Sequence, residues 1–272
     1  MEEEVARLLA STQESAENPR KQAEVQLERL QEDGNFPLIL ISIASHGSLS
    51  ENIRQAALLY LKKYIQSSWS SEFDEYGGQA SIDEDTKSKI RESSLRLALS
   101  SESGRKLRGI ASYVVSKIAS VDYPEHWSTL LPSLLQIIPN GNDEQLHGAL
   151  KVLGDLIEDC FNENQFFGIS RDLVRIIYNV ATDESRNPLL RALAISVFRS
   201  SFDIIEMVME NFKNEVKAFA NETIKGWIPF FMQVLKTKLP PLPLNAKEEA
   251  EITTADLHRG TVALKLQVVK VS

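Results

Sequence analysis

One periodicity recurs along this chain and limits what it can fold into. Residues 52–69, NIRQAALLYLKKYIQSSW, put Ile53, Ala56, Ala57, Tyr60, Leu61 and Tyr64 on one face of a helix. Arg54, Lys62 and Lys63 lie off that stripe, and neither Gly nor Pro interrupts it. Residues 103–119 repeat the pattern with Leu107, Ile110, Ala111, Val114, Val115, Ile118 and Ala119. Residues 142–162 repeat it again, through Leu146, Ala149, Leu150, Leu153, Gly154, Ile157 and Phe161. Long helices are therefore predicted to start near residues 50, 103, 142, 188 and 254, each but the last followed by a shorter or equal partner. An amphipathic pair cannot bury its whole apolar face alone, so neighbouring pairs must stack. The expected fold is all-α: an α-solenoid of about five to six antiparallel two-helix HEAT repeats.

Shorter helices are expected between the long ones. Residues 2–10 form about two turns, and Asn18-Pro19 opens a helix to about Asp33 through Ala23, Leu27 and Leu30. Others are expected at 36–45, 83–100, 128–138 and 170–182, the last carrying Leu173, Ile176, Ile177, Val180 and Ala181. Asn187-Pro188 opens the fourth long helix, and residues 214–235 pair with it, with Pro229 predicted to kink that partner. Exposed loops are expected near 70–82, where Gly77-Gly78 sits, and at 239–252, which opens with Leu239-Pro-Pro-Leu-Pro. The last stretch, 256–272, fits both a strand and a helix; in a chain with no other strand candidate, helix is expected. It stops inside an apolar-periodic segment, as expected of an N-terminal fragment of a longer solenoid.

Composition removes several function classes. The chain has 272 residues, 43% apolar and 25% charged, with a net charge of −8 and one cysteine. A single cysteine excludes a disulfide within the chain and a cysteine-based zinc site, and suits the reducing cytosol or nucleus. The acidic start MEEEVARLLAS has neither the basic nor the apolar region of a signal peptide, and no run is long enough to span a bilayer. The acidic balance points away from nucleic acid and toward basic partners, although an acidic soluble chain with no special partner is commoner. No phosphate loop, GxSxG or metal-ligand spacing is present, the four histidines are scattered, and no cofactor is expected. Cys160 reads as a buried structural thiol, because no basic neighbour is placed to lower its pKa. Trp69, Trp127 and Trp227 close or interrupt helices and read as packing anchors, with His126 covering the indole beside it. Nothing supplies a nucleophile, base and orienting group together, so the chain reads as no enzyme.

Two stretches carry a resemblance. Residues 52–69, with Arg54-x-x-Ala57 followed by Leu61-Lys62-Lys63, resemble the signature helix of the importin-β N-terminal domain, and residues 19–30 match how such proteins begin. Residues 109–132, which include the turn Asp122-Tyr-Pro-Glu-His-Trp127, resemble the family's third-repeat helix and the turn after it. The resemblance runs over about residues 19–135, with the N-terminal domain at about 19–100, and is generic afterwards. Within the family it is strongest to carriers associated with core histones and the TATA-binding protein.

The resemblance implies a nuclear transport receptor that shuttles between cytoplasm and nucleus. Such receptors bind Ran in its GTP form through N-terminal repeats and release basic cargo when Ran binds; nucleoporins are further partners. It also implies that first helices line the convex face and second helices the concave face. Positions on the second helices pointing away from the core can then face Ran or cargo: Glu92, Arg96, Gln136, Arg171, Arg175 and Tyr178. For each of them taken singly, a solvated polar face is the commoner explanation. The acids Glu72, Asp74, Glu75, Asp83, Glu84 and Asp85 can meet basic cargo, or simply serve a loop and a helix start. A HEAT scaffold of another complex, or an exportin that binds cargo together with Ran-GTP, are the alternatives. No direct contact with nucleic acid or membrane is expected.

Overall fold

A computed structural model describes residues 1–78, 82–161, 163–208, 213–241 and 253–271. Among them every regular element is helical, and the chain divides into two packed units, Met1–Ser128 and Thr129–Ser272. The first unit holds α1 (Glu2–Ser11), α2 (Glu17–Leu30), α3 (Phe36–Ser45), α4 (Glu51–Ser68), α5 (Glu84–Ala98) and α6 (Arg105–Asp122). The second holds α7 (Leu130–Asn140), α8 (Asp143–Asp159), α9 (Glu163–Thr182), α10 (Pro188–Val208), α11 (Lys213–Lys236) and α12 (Thr253–Val271).

Helix starts follow local chemistry. Ser50 caps α4 through Ile53 N, Asp83 caps α5 through Thr86 N at 2.9 Å, and Asn142 and Gln145 close a capping box on α8. The last segment is helix, as expected. Helix α9 begins at Glu163, well before the expected Ser170, because nothing in Glu163-Asn-Gln-Phe-Phe-Gly breaks a helix apart from one tolerated glycine. Pro139 lies inside α7, one residue before its end, and Pro229 lies inside α11, within the pattern as expected. Of the two expected loops, 70–78 and 239–241 are non-helical; 79–81 and 242–252 lie outside the described residues.

Each unit has two layers. In the first, α3 packs on α5 and α4 on α6; in the second, α7, α9 and α11 stack in one layer and α8, α10 and α12 in the other. Each shorter helix packs closely on the long helix after it: α3 with α4, α5 with α6, α7 with α8, α9 with α10. This phase differs from the expected one, in which each long helix pairs with the shorter one following it.

Burial follows the stripes with a rotation. In α4 the buried residues are Ala57, Leu58, Leu61, Tyr64, Ile65 and Ser68, while Ile53, Ala56 and Tyr60 are only half-buried. The helix meets α3, α1 and α6 at once, so its covered face is wider than a single seam and turned toward Leu58 and Ile65. Fully buried Leu or Ile side chains such as Leu58, Leu61, Ile90 and Leu107 each stabilise by roughly 1.5–3 kcal/mol. Cys160 departs from expectation: it caps the C-terminus of α8 and is half-buried, since the stripe ends at Ile157.

Candidate functional site

A repeated contact holds the helix pairs. Arg54, the fourth residue of α4, donates from Nε to the Ala44 carbonyl in the last turn of α3 at 2.8 Å, and from its other arm to Ser103 Oγ at 3.4 Å. Arg191, the fourth residue of α10, donates to the Ala181 carbonyl in the last turn of α9, also at 2.8 Å. Arg108, fourth in α6, reaches the carbonyls of Ser103 and Ser100 just past α5. His258 of α12 puts Nδ1 2.6 Å from the Pro240 carbonyl after α11. The last carbonyls of a helix have no partner within it. A cation there satisfies them and meets the negative end of the helix dipole. Burial lowers the Arg191 guanidinium from its ordinary value, against the opposing pull of Glu184 and Asp183. The apolar-then-basic step at 53–54, 107–108, 190–191 and 257–258 is a repeat legible in the sequence. Arg54 is thus a clamp between helix pairs and not a group waiting for a partner.

The turn after α6 is tied into the first unit by a buried network. Asp122, only 3% exposed, accepts from Trp69 Nε1 at 3.1 Å and from Arg91 Nε at 2.7 Å. Arg91 also donates to Glu84 at 2.6 Å. Burial pulls its guanidinium down, but the hydrogen bonds and charges of Glu84 and Asp122 outweigh this and leave it raised. The Asp122 carbonyl closes the turn by accepting from His126 N and Trp127 N. All three tryptophans are buried, as anchors should be, while His126 is exposed.

The six candidate positions are distributed over both units. Glu92 and Arg96 lie one turn apart on the exposed side of α5, in the first unit. Gln136 is exposed on α7, in the second. Arg171, Arg175 and Tyr178 come together on α9, where they form one wall of a groove of about 540 Å³ whose other wall is α11.

That groove has a defined build. Its floor is Val174, Phe219 and Trp227, all nearly buried. Tyr178 is half-buried, edge-on to Trp227 at 5.2 Å, with its hydroxyl 3.4 Å from the Gly226 carbonyl. Part of its role is therefore packing, against the cluster in which Phe198 stacks on Trp227 at 3.8 Å. Arg171 reaches Glu222 across the groove at 3.4 Å and lies over the Phe219 ring at 5.5 Å; Arg175 pairs with Asp172 at 2.7 Å. Phe219, Glu222 and Gly226 do not follow from the sequence while only α3, α5, α7 and α9 are taken as partner-facing. The same alternation of layers, carried one repeat further, reaches α11.

The acidic stretch separates into two groups. Asp83 is a helix cap, Glu84 holds Arg91 and Asp85 pairs with Lys89 at 2.5 Å. Glu75 accepts from Gln66, and Glu72 and Asp74 stand exposed on the loop. No group of three or more metal-ligating side chains is found among the described residues, and none of their helices is long and apolar enough to cross a membrane.

Residues 23–100 match the family model for the importin-beta N-terminal domain. Importin subunit beta-5 of fission yeast is 32% identical over 242 residues, covering 88% of this chain and 24% of that protein. The chain belongs to the importin-β family. Its budding yeast relative of the same description is 26% identical over 85% of the chain, and exportin-2 of Drosophila is 23% identical over 91%. This importin-β family chain spans about a quarter of the length of these relatives. Among solved structures, the exportin Cse1 in its cargo-free, cytoplasmic state matches 99% of the chain and 29% of its own, with a TM-score of 0.69 at 20% identity. Kap95p, solved with RanGDP whose switch loops it drives to the GTP-bound conformation, matches 99% of the chain and 28% of its own, with a TM-score of 0.68 at 15% identity. The fold is the HEAT solenoid of these receptors.

Proposed function

We propose that this chain works in a nuclear import receptor, binding Ran in its GTP form and helping to carry basic protein cargo, such as core histones or the TATA-binding protein. The observation that carries this reading is the importin-beta N-terminal domain at residues 23–100 within a chain 32% identical to a fungal importin subunit. The exposed faces of α5, α7 and α9 are the surfaces offered to partners, through Glu92, Arg96, Gln136, Arg171, Arg175 and Tyr178. Glu72 and Asp74 add negative charge for a basic cargo. Nucleoporins are the further partners of a receptor that shuttles between cytoplasm and nucleus. The mechanism is reciprocal coupling, in which Ran-GTP and cargo each weaken the other by the same factor. It requires no catalytic step.

Binding of the purified chain to Ran loaded with a GTP analogue, compared with Ran-GDP, tests this. Strong preference for the GTP form is expected; equal or absent binding to both would sink it. The similarity to exportin-2 over 91% of the chain supports a second reading, an exportin. Ran-GTP should weaken cargo binding to an importin and strengthen it for an exportin.

A further inference from the structure

Helices α4 and α6 lie side by side in one layer of the first unit, and the face they share is strongly basic. Together they hold seven Lys and Arg residues against two acids, Glu51 and Asp122. Asp122 is buried and taken by Arg91 and Trp69. Arg54 and Arg108 hold helix-end carbonyls, and Lys63 stands 3.8 Å from Glu28. Lys62, Lys106 and Lys117 make no ion pair or hydrogen bond among the described residues. This excess of cations stands in a chain of net charge −8.

Tyr113 organises these charges. It is 39% exposed, and two lysines converge on its ring: Lys62 Nζ from α4 at 4.4 Å from the centre and Lys117 Nζ from α6 at 5.8 Å. Each such contact contributes about 0.5–1 kcal/mol at an exposed site and leaves ammonium N–H donors available. Two ammonium groups drawn to one ring also repel each other, and an anion bound between them turns that repulsion into two attractions. Lys106, Tyr113 and Lys117 recur at i, i+7 and i+11, on one stripe of α6. That stripe rises about 16 Å, the reach of about five residues of extended chain, whose alternate side chains point the same way about 7 Å apart. Exposed Glu102 precedes α6, and Glu51 lies against Gly104, so acids bound the stripe at the start of α6. A long polyanion such as nucleic acid would run into them and into the net negative charge of the chain. A short run of carboxylates meets neither.

We propose that the face shared by α4 and α6 docks a short, extended acidic segment of a partner protein, with one carboxylate taken between Lys62 and Lys117 beside the Tyr113 ring and another by Lys106. None of these residues belongs to the surfaces named for Ran or basic cargo, so the site goes beyond the import reading.

Fluorescence anisotropy on the 272-residue chain tests the proposal. The probe is a labelled peptide of alternating Glu and Ser; the controls are the same peptide with Lys for Glu and a labelled single-stranded oligonucleotide. The Glu peptide should bind at about 50 mM salt and weaken as salt rises to about 300 mM. The Lys peptide should not bind, and the oligonucleotide should bind more weakly than the Glu peptide. Lys62→Glu with Lys117→Glu should weaken peptide binding by about tenfold or more. Lys62→Met with Lys117→Met, which keeps the apolar stems on the ring, should weaken it several-fold. Lys225→Glu with Lys270→Glu makes the same change in net charge at exposed positions in the second unit and should leave binding within about twofold. Circular dichroism melts establish that each variant is folded. No binding of the Glu peptide by the wild-type chain, equal binding of the Lys peptide, tighter binding of the oligonucleotide, or equal losses from the two charge reversals overturns the proposal. The comparison of Ran-GTP with Ran-GDP uses none of these probes, so either reading can fail while the other stands.

Discussion

Two arginine–carboxylate pairs in this chain differ most in burial. Arg91 and Asp122 meet at 2.7 Å with side chains 6% and 5% exposed. Arg171 and Glu222 meet at 3.4 Å with side chains 71% and 72% exposed. In the first pair, both ions have left water, and only a dense set of hydrogen bonds makes that tolerable. In the second, water competes for both groups and the pair contributes little. The buried pair fixes the turn that joins Trp69 to α6, and so serves the scaffold. The exposed pair leaves its arginine exchangeable with water or another anion, and so contributes little to the scaffold. An ion pair seen in a receptor of this family therefore means nothing for binding until its burial is known.

The largest expected effect tests the buried side of the contrast. Asp122→Ala leaves Arg91 with only the exposed Glu84 as its carboxylate, strands the Trp69 indole N–H, and should lower stability by about 3–5 kcal/mol in urea denaturation. Replacing both partners, Arg91→Met with Asp122→Leu, should recover most of that loss, because the desolvation cost disappears with the charges. A loss under about 1 kcal/mol for Asp122→Ala would mean that burial alone does not make this pair structural.

An intermediate effect is expected at the clamps. Arg54→Ala and Arg191→Ala each remove a charged donor from a helix-end carbonyl, a bond worth about 1.5–3 kcal/mol. Each should lower stability by that order. Arg191→Lys should not restore it, since one ammonium cannot reproduce a fixed fork that reaches back from the first turn. Full rescue by lysine would show that charge at the helix end, and not the directed bond, is what matters.

The exposed pair should behave in the opposite way. Arg171→Ala should change stability by less than about 1 kcal/mol in urea denaturation. A destabilisation as large as that of Asp122→Ala would erase the distinction between the two pairs.

The order of the helices, their all-α character and most of the core were legible in the sequence, because a 3.6-residue period is a local property that survives in any tertiary setting. Leu58 and Ile65 were missed for a reason of geometry: a stripe drawn for one neighbour underestimates a helix that meets three. The groove was half legible. Arg171, Arg175 and Tyr178 follow from the face they share on α9. Glu222 comes to Arg171 from 51 residues away, and no local pattern announces which helix lies alongside. Asp122 stands out as part of a motif, but its partners Trp69 and Arg91 come from two other elements, so its role appears only once the chain is folded. The acids of residues 83–85 look like one cluster and prove to be a cap and two local pairs.

The smallest effect expected is a pH dependence at the start of α5, and it sharpens the comparison by taking a fully exposed group. Hydrogen bonds from Thr86 N and Thr86 Oγ1 hold the Asp83 carboxyl below its ordinary value. A carboxyl with a depressed folded value stabilises the fold above its unfolded value, near pH 4, and that contribution fades as pH falls through the lower, folded one. Asp83→Asn keeps an acceptor for the cap but cannot titrate. The wild-type chain should therefore be slightly the more stable of the two at neutral pH, and that advantage should vanish in strong acid, as read from urea midpoints at both ends of the range. An advantage that persists unchanged at about pH 2 would mean that the cap's geometry, and not the charge of Asp83, carries the stabilisation.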